Sequence, residues 1–109
     1  MAKDADKYTY RVVWSHEDGE HVGLVAEFPS LSWLAKSAPD ALSGIMRLVA
    51  STLREMAKAK EKLPEPLSLQ KFSGKFMVRI PPAQHRKLAL DAAEQGVSMN
   101  RLVSQKLSA

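Results

Sequence analysis

Residues 74–107 read GKFMVRIPPAQHRKLALDAAEQGVSMNRLVSQKL. Lys75 to Ile80 alternates, with Phe76, Val78 and Ile80 on one face of a strand and Lys75, Met77 and Arg79 on the other. Pro81-Pro82 ends the strand, and Pro82 suits a helix start. Residues 83–95 are helix formers, with Leu88, Ala89, Ala92 and Ala93 as the expected buried set. Gly96 is placed to stop that helix in the left-handed conformation, and Ser98 to cap the next. Val97 and Leu102 are spaced as a hydrophobic staple, and Met99, Leu102, Val103 and Leu107 share a face.

A strand and two helices below about 40 residues bury too little apolar surface to stand alone. A lone strand also leaves its backbone groups unpaired. Pairing with the same strand of a second copy answers both needs. The result is an antiparallel ribbon over a shared core of Phe76, Val78, Ile80, Leu88 and Leu102. The ribbon's outer face then presents Lys75, Met77 and Arg79 twice about a two-fold axis.

Such a ribbon fits the DNA major groove. Arg79 can bond a guanine edge, Lys75 a guanine or phosphate, and Met77 can pack on a thymine methyl. The helix start at Ser98, Met99 and Asn100 offers backbone N–H groups to a phosphate, with Arg101 beside them. The charge agrees. Residues 71–109 hold seven Lys/Arg against two Asp/Glu, whereas residues 1–70 hold nine against ten.

Working outward, Leu63-Pro-Glu-Pro-Leu67 is a stiff boundary, dividing the chain into 1–67 and 68–109. Before it, Tyr8–Trp14 and His21–Phe28 read as strands of a hairpin turning at Asp18-Gly19, and Leu31–Ala35 as a short third strand. Ser37 caps a long helix with Pro39 and Asp40 in its first turn. Its apolar stripe is Ala41, Leu42, Ile45, Leu48, Val49, Leu53 and Met56, and Pro64 and Pro66 should end it near Lys62. Ser68–Phe72 is long enough for one more edge strand. Trp14 and Trp33 are expected in the core.

The 109 residues carry a net charge of +4, 45% hydrophobic residues and no cysteine. These exclude wholesale disorder, a disulfide scaffold and a thiol nucleophile. No apolar run is long enough to span a membrane, and the first residues do not read as a secretory signal, so a cytoplasmic protein is expected. His16, His21 and His85 have no companions at metal-ligand spacing, so no metal and no cofactor are expected. A metal-dependent nuclease needs clustered carboxylates, and the first strand has none. Hence no catalytic residue is assigned and no enzyme is expected.

The order Gly-Lys-Phe-Met-Val-Arg-Ile-Pro, helix, Gly-Val-Ser-Met-Asn-Arg-Leu-Val resembles a ribbon-helix-helix domain. The Asp18-Gly19 hairpin, Glu27-Phe-Pro-Ser-Leu-Ser-Trp-Leu-Ala and Pro39-Asp-Ala-Leu resemble the HicB antitoxin family. The resemblance implies an α+β fold. Its first part is an antiparallel sheet with one long helix, a partial ribonuclease H-like domain without catalysis. Its second part is a C-terminal ribbon-helix-helix. It implies an antitoxin that covers a HicA-type mRNA-cleaving toxin with its first domain and represses its own operon by binding a palindromic operator. The protein would act as a homodimer, or as a tetramer of two dimers on adjacent half-sites. The competing reading is a stand-alone repressor whose N-terminal domain senses a ligand or another protein.

Overall fold

A computed structural model describes residues 2–109, with the side chains of Ala2 and Lys3 outside the description. The chain divides into two compact units, one up to Phe72 and one from Ser73 to Ala109. The element order is α1 (Ala2–Ala5), β1 (Tyr10–Ser15), β2 (Glu20–Val25), β3 (Ser32–Ala35), α2 (Ala38–Lys58), a 3₁₀ turn at Leu67–Leu69, α3 (Pro82–Gln95) and α4 (Met99–Leu107). The fold class is α+β.

In the first unit the strands form an antiparallel sheet in the order β1-β2-β3. Tyr10 pairs with Val25 and Ser15 with Glu20, so the hairpin closes at residues 16–19. Gly19 takes φ 64° there, its amide bonds the Ser15 carbonyl at 2.9 Å, and the Ser15 hydroxyl donates to Asp18 at 2.8 Å. In the second pairing Gly23 lies opposite Trp33.

Helix α2 covers one face of this sheet. Ser37 caps it as expected, its hydroxyl accepting the Asp40 amide at 3.2 Å. Ala41, Gly44, Ile45, Val49 and Leu53 form its buried stripe. Ile45 and Val49 are wholly buried and pack with Ala5, Tyr8 and Val25. Gly23 makes the close approach possible: a Cβ there would come within 2.8 Å of Ile45 Cγ2 and meet the Ala41 carbonyl.

Four expectations for this unit are corrected. Helix α2 ends at Lys58 rather than near Lys62. Lys60 turns left-handed at φ 58°, its amide bonds the Ala57 carbonyl, and the Glu61 amide bonds that of Met56. This is a Schellman closure, which stops the helix before the prolines can. Residues 68–72 add no strand; Leu67–Leu69 is a 3₁₀ turn. Both tryptophans are exposed, Trp14 by 55% near the far end of edge strand β1, and Trp33 by 39% although its indole lies against α2 at Gly44. Leu42, expected in the core stripe, is exposed as well.

The second unit holds α3 and α4. Gly96 at φ 68° closes α3, with its amide on the Ala93 carbonyl and the Val97 amide on that of Ala92. Ser98 caps α4 through the Arg101 amide at 3.0 Å. Ala92 and Leu102 are buried between the helices and Leu88 is half-buried, whereas Ala89 and Ala93, expected with them, are exposed.

Candidate nucleic-acid interface

The second unit enters through Gly74, whose φ of 84° suits glycine. Residues 75–81 follow with no strand assigned. A strand exists only through backbone pairing, and a single chain offers this segment no partner. The expected strand is therefore absent from the single chain. The expected division into an inner and an outer face is absent with it. Lys75, Met77 and Arg79 are exposed, but so are Phe76 at 74% and Val78 at 62%. Only Ile80 is half-buried.

An open groove runs between this segment and the helices. Phe76, Val78 and Ile80 line one side, and Leu88, Met99 and Val103 line the other. The five residues expected to form a shared core thus split by position. Leu102 is buried within the unit, Leu88 and Ile80 are half-covered, and Phe76 and Val78 are open. An apolar groove of this kind, in a unit with only Ala92 and Leu102 buried, is an incomplete core.

The helix start has a definite donor set. The Ser98 hydroxyl takes the Arg101 amide. The amides of Met99 and Asn100 have no carbonyl four residues back within the helix to bond. Ser98, Met99, Asn100 and Arg101 are all exposed. The expected phosphate-facing group is thus brought together on one turn, with the side chain of Arg101 beside the helix's positive end.

The first unit holds an organised polar group that sequence reasoning missed. Glu27 accepts the Leu67 amide at 2.8 Å, the Thr9 amide at 3.0 Å and the Thr9 hydroxyl at 3.0 Å. Burial pushes the Glu27 carboxyl up, but the amides of Leu67 and Thr9 outweigh it and hold the carboxyl below its ordinary value. Nearby, the Tyr8 hydroxyl donates to the Pro64 carbonyl at 2.6 Å and the Ser68 hydroxyl to the Lys7 carbonyl at 2.6 Å. The proline segment is thereby fastened to the first unit at three points. Forty residues separate Glu27 from Leu67, and no local pattern in the sequence announces the pair.

Two aromatic arrangements lie at the margins of the sheet. Trp14 meets His21 edge-on, with ring centres 5.1 Å apart. The Arg47 guanidinium sits 5.8 Å from the Trp33 ring centre. Among the described residues no three of His, Asp or Glu gather as a metal site, and no helix is long and apolar enough to cross a membrane.

Searches of curated proteins and of solved structures found no match. The model of the HicB family matches residues 57–107, from the last turn of α2 to the end of α4. The hairpin and helix-start motifs at residues 18–42 lie outside that stretch, whereas the exposed segment, both capped helices and the proline segment lie inside it. Over that stretch, just under half of the chain, the protein is similar to the HicB family.

Proposed function

We propose that the protein is the antitoxin of a type II toxin–antitoxin pair and represses its own operon. The observation that carries this reading is the segment 75–80 beside two capped helices. Phe76 and Val78 stand open there over an apolar groove, with Lys75 and Arg79 interleaved. A second copy pairs its own segment antiparallel to this one. The ladder satisfies the backbone groups, and Phe76, Val78 and Ile80 close onto Leu88 and Leu102 of the joint core. Only then does the outer face become distinct, carrying Lys75, Met77 and Arg79 twice into the major groove. The α4 starts place the Met99 and Asn100 amides and Arg101 on the flanking phosphates. Two-fold symmetry calls for a palindromic operator.

The first unit covers a HicA-type toxin. Its β-β-β-α order, with an antiparallel sheet and one covering helix, supports the partial ribonuclease H-like reading. The protein has no catalytic role and acts in the cytoplasm.

The test is a titration onto duplex DNA from directly upstream of the gene, against a scrambled duplex, at two salt concentrations. Preferential binding is expected, with log affinity falling against log salt by about 0.9 per phosphate contacted. Equal weak binding to both duplexes would defeat the operator reading.

A further inference from the structure

The proline segment is expected to be a stiff boundary, and its hydrogen bonds tie it back to the first unit. Pro64 is held by Tyr8, Leu67 by Glu27 and Ser68 by Lys7. Tyr8 and Lys7 lead into β1, and Glu27 follows β2, so both ends of the sheet's first hairpin grip the same stretch. Tyr8 is itself buried and packs on Phe28 with ring centres 5.6 Å apart, so its hydroxyl is held in place. Of the three contacts only that of Glu27 is charge-assisted, and it is the strongest kind.

We propose that Glu27 is the catch of a strap: by holding Leu67 it keeps residues 62–69 on the first unit and limits how far the second unit can move away. With the strap fastened, only Gln70–Phe72 lie between the 3₁₀ turn and the second unit. Three residues reach roughly 10 Å when extended. Released at all three contacts, the free chain begins after Glu61, whose amide is still held by Met56, and runs over residues 62–72. Eleven residues reach roughly 37 Å. The strap therefore sets the volume that either unit samples around the other. It also sets the effective concentration at which their binding events are coupled. The proposal stands on the contacts alone and does not need the operator reading.

The test uses the full chain with Glu27→Ala and, as a variant that preserves shape, Glu27→Gln. Gln offers one oxygen and turns an N–H₂ toward a donor, so it cannot accept all three bonds. Amide hydrogen exchange at Leu67 is expected to accelerate by about tenfold or more in Glu27→Ala, as loss of a charge-assisted bond implies, and less in Glu27→Gln. The amides of Val13 and Val22, which pair across the β1–β2 ladder, should keep their protection, which shows that the sheet is intact. Small-angle scattering should record a larger maximum dimension for Glu27→Ala than for the parent, at a concentration where the oligomeric state is the same. Unchanged exchange at Leu67, or faster exchange with an unchanged maximum dimension, would overturn Glu27 as the catch.

Discussion

The indole of Trp33 lies against Gly44, in the space that a Cβ on that residue would occupy. Trp33 belongs to an edge strand and Gly44 to the second turn of α2, so this contact seats the helix on β3. The glycine is there for the close approach and not for its backbone angles. Alanine at Gly44 would gain about 0.5–1 kcal/mol in helix propensity. It would lose about 1–3 kcal/mol by displacing the indole. The expected net effect is a loss of about 1 kcal/mol. In a Trp33→Ala background the clash is gone, and Gly44→Ala should become neutral or stabilising. Urea unfolding of the four proteins in this cycle checks both signs.

Lys60 gives the opposite sign. It holds φ 58° at the Schellman closure of α2, a conformation that disfavours a side chain with a Cβ. Lys60→Gly should raise the urea midpoint by the equivalent of up to about 1 kcal/mol, with the slope unchanged. A lower midpoint would mean that the lysine charge at the helix C-terminus matters more than the backbone strain.

Most of the local grammar of the chain was legible in its sequence. Ser37 and Ser98 as caps, Gly96 as a stop and the hairpin at Gly19 each rest on one residue's chemistry within a few positions. What escaped depends on distance along the chain or on how much one element can cover. Trp14 reads as core by its apolar area, yet its place at the end of an edge strand leaves it open. Lys60 carries no sequence signal for a left-handed turn, so the prolines at 64 and 66 alone place the end of α2 near Lys62. Glu27 stands in the sequence only as the first residue of the Glu27-Phe-Pro-Ser segment, because its partner sits forty positions away. In the candidate interface the residue types were legible, but a face exists only once a second strand defines the sheet.

Tyr10 predicts the alkaline behaviour. Its hydroxyl donates to the Ala5 carbonyl at 2.7 Å, and burial, then the charges of Asp6 and Glu27, push its pKa up to about 12. An unfolded tyrosine ionises near 10. The folded state therefore holds the proton more tightly. The contribution is complete below pH 10 and is lost as pH rises from about 10 through 12. Tyr10→Phe should flatten the fall in stability over that window. Absorbance titration of phenolate should show one fewer late-titrating tyrosine. An equally steep alkaline fall in Tyr10→Phe would assign it to another group.

Phe76 tests the joint core. In the single chain its ring is 74% exposed, so an aspartate there costs that chain little. In the paired ribbon the two aspartates would be buried without partners, at several kcal/mol. Phe76→Asp should sediment as a monomer at concentrations where the parent is a dimer, with the first unit still folded. Met77→Asp, on the outer face, should remain dimeric. A dimeric Phe76→Asp with a monomeric Met77→Asp would show that the two faces are reversed.

Arg79 tests base reading apart from charge. A bidentate bond from Arg79 to guanine would contribute about 1–3 kcal/mol, or roughly five- to 150-fold in Kd. Arg79→Ala should lose that much affinity for the upstream duplex and change little on the scrambled one. A phosphate contact behaves differently. Its loss weakens both duplexes alike and lowers the salt slope by about 0.9. Anisotropy titrations at several salt concentrations separate the two. A specific loss at constant slope places Arg79 on a base edge. A uniform loss with a smaller slope places it on the backbone and leaves Lys75 and Met77 to read the operator.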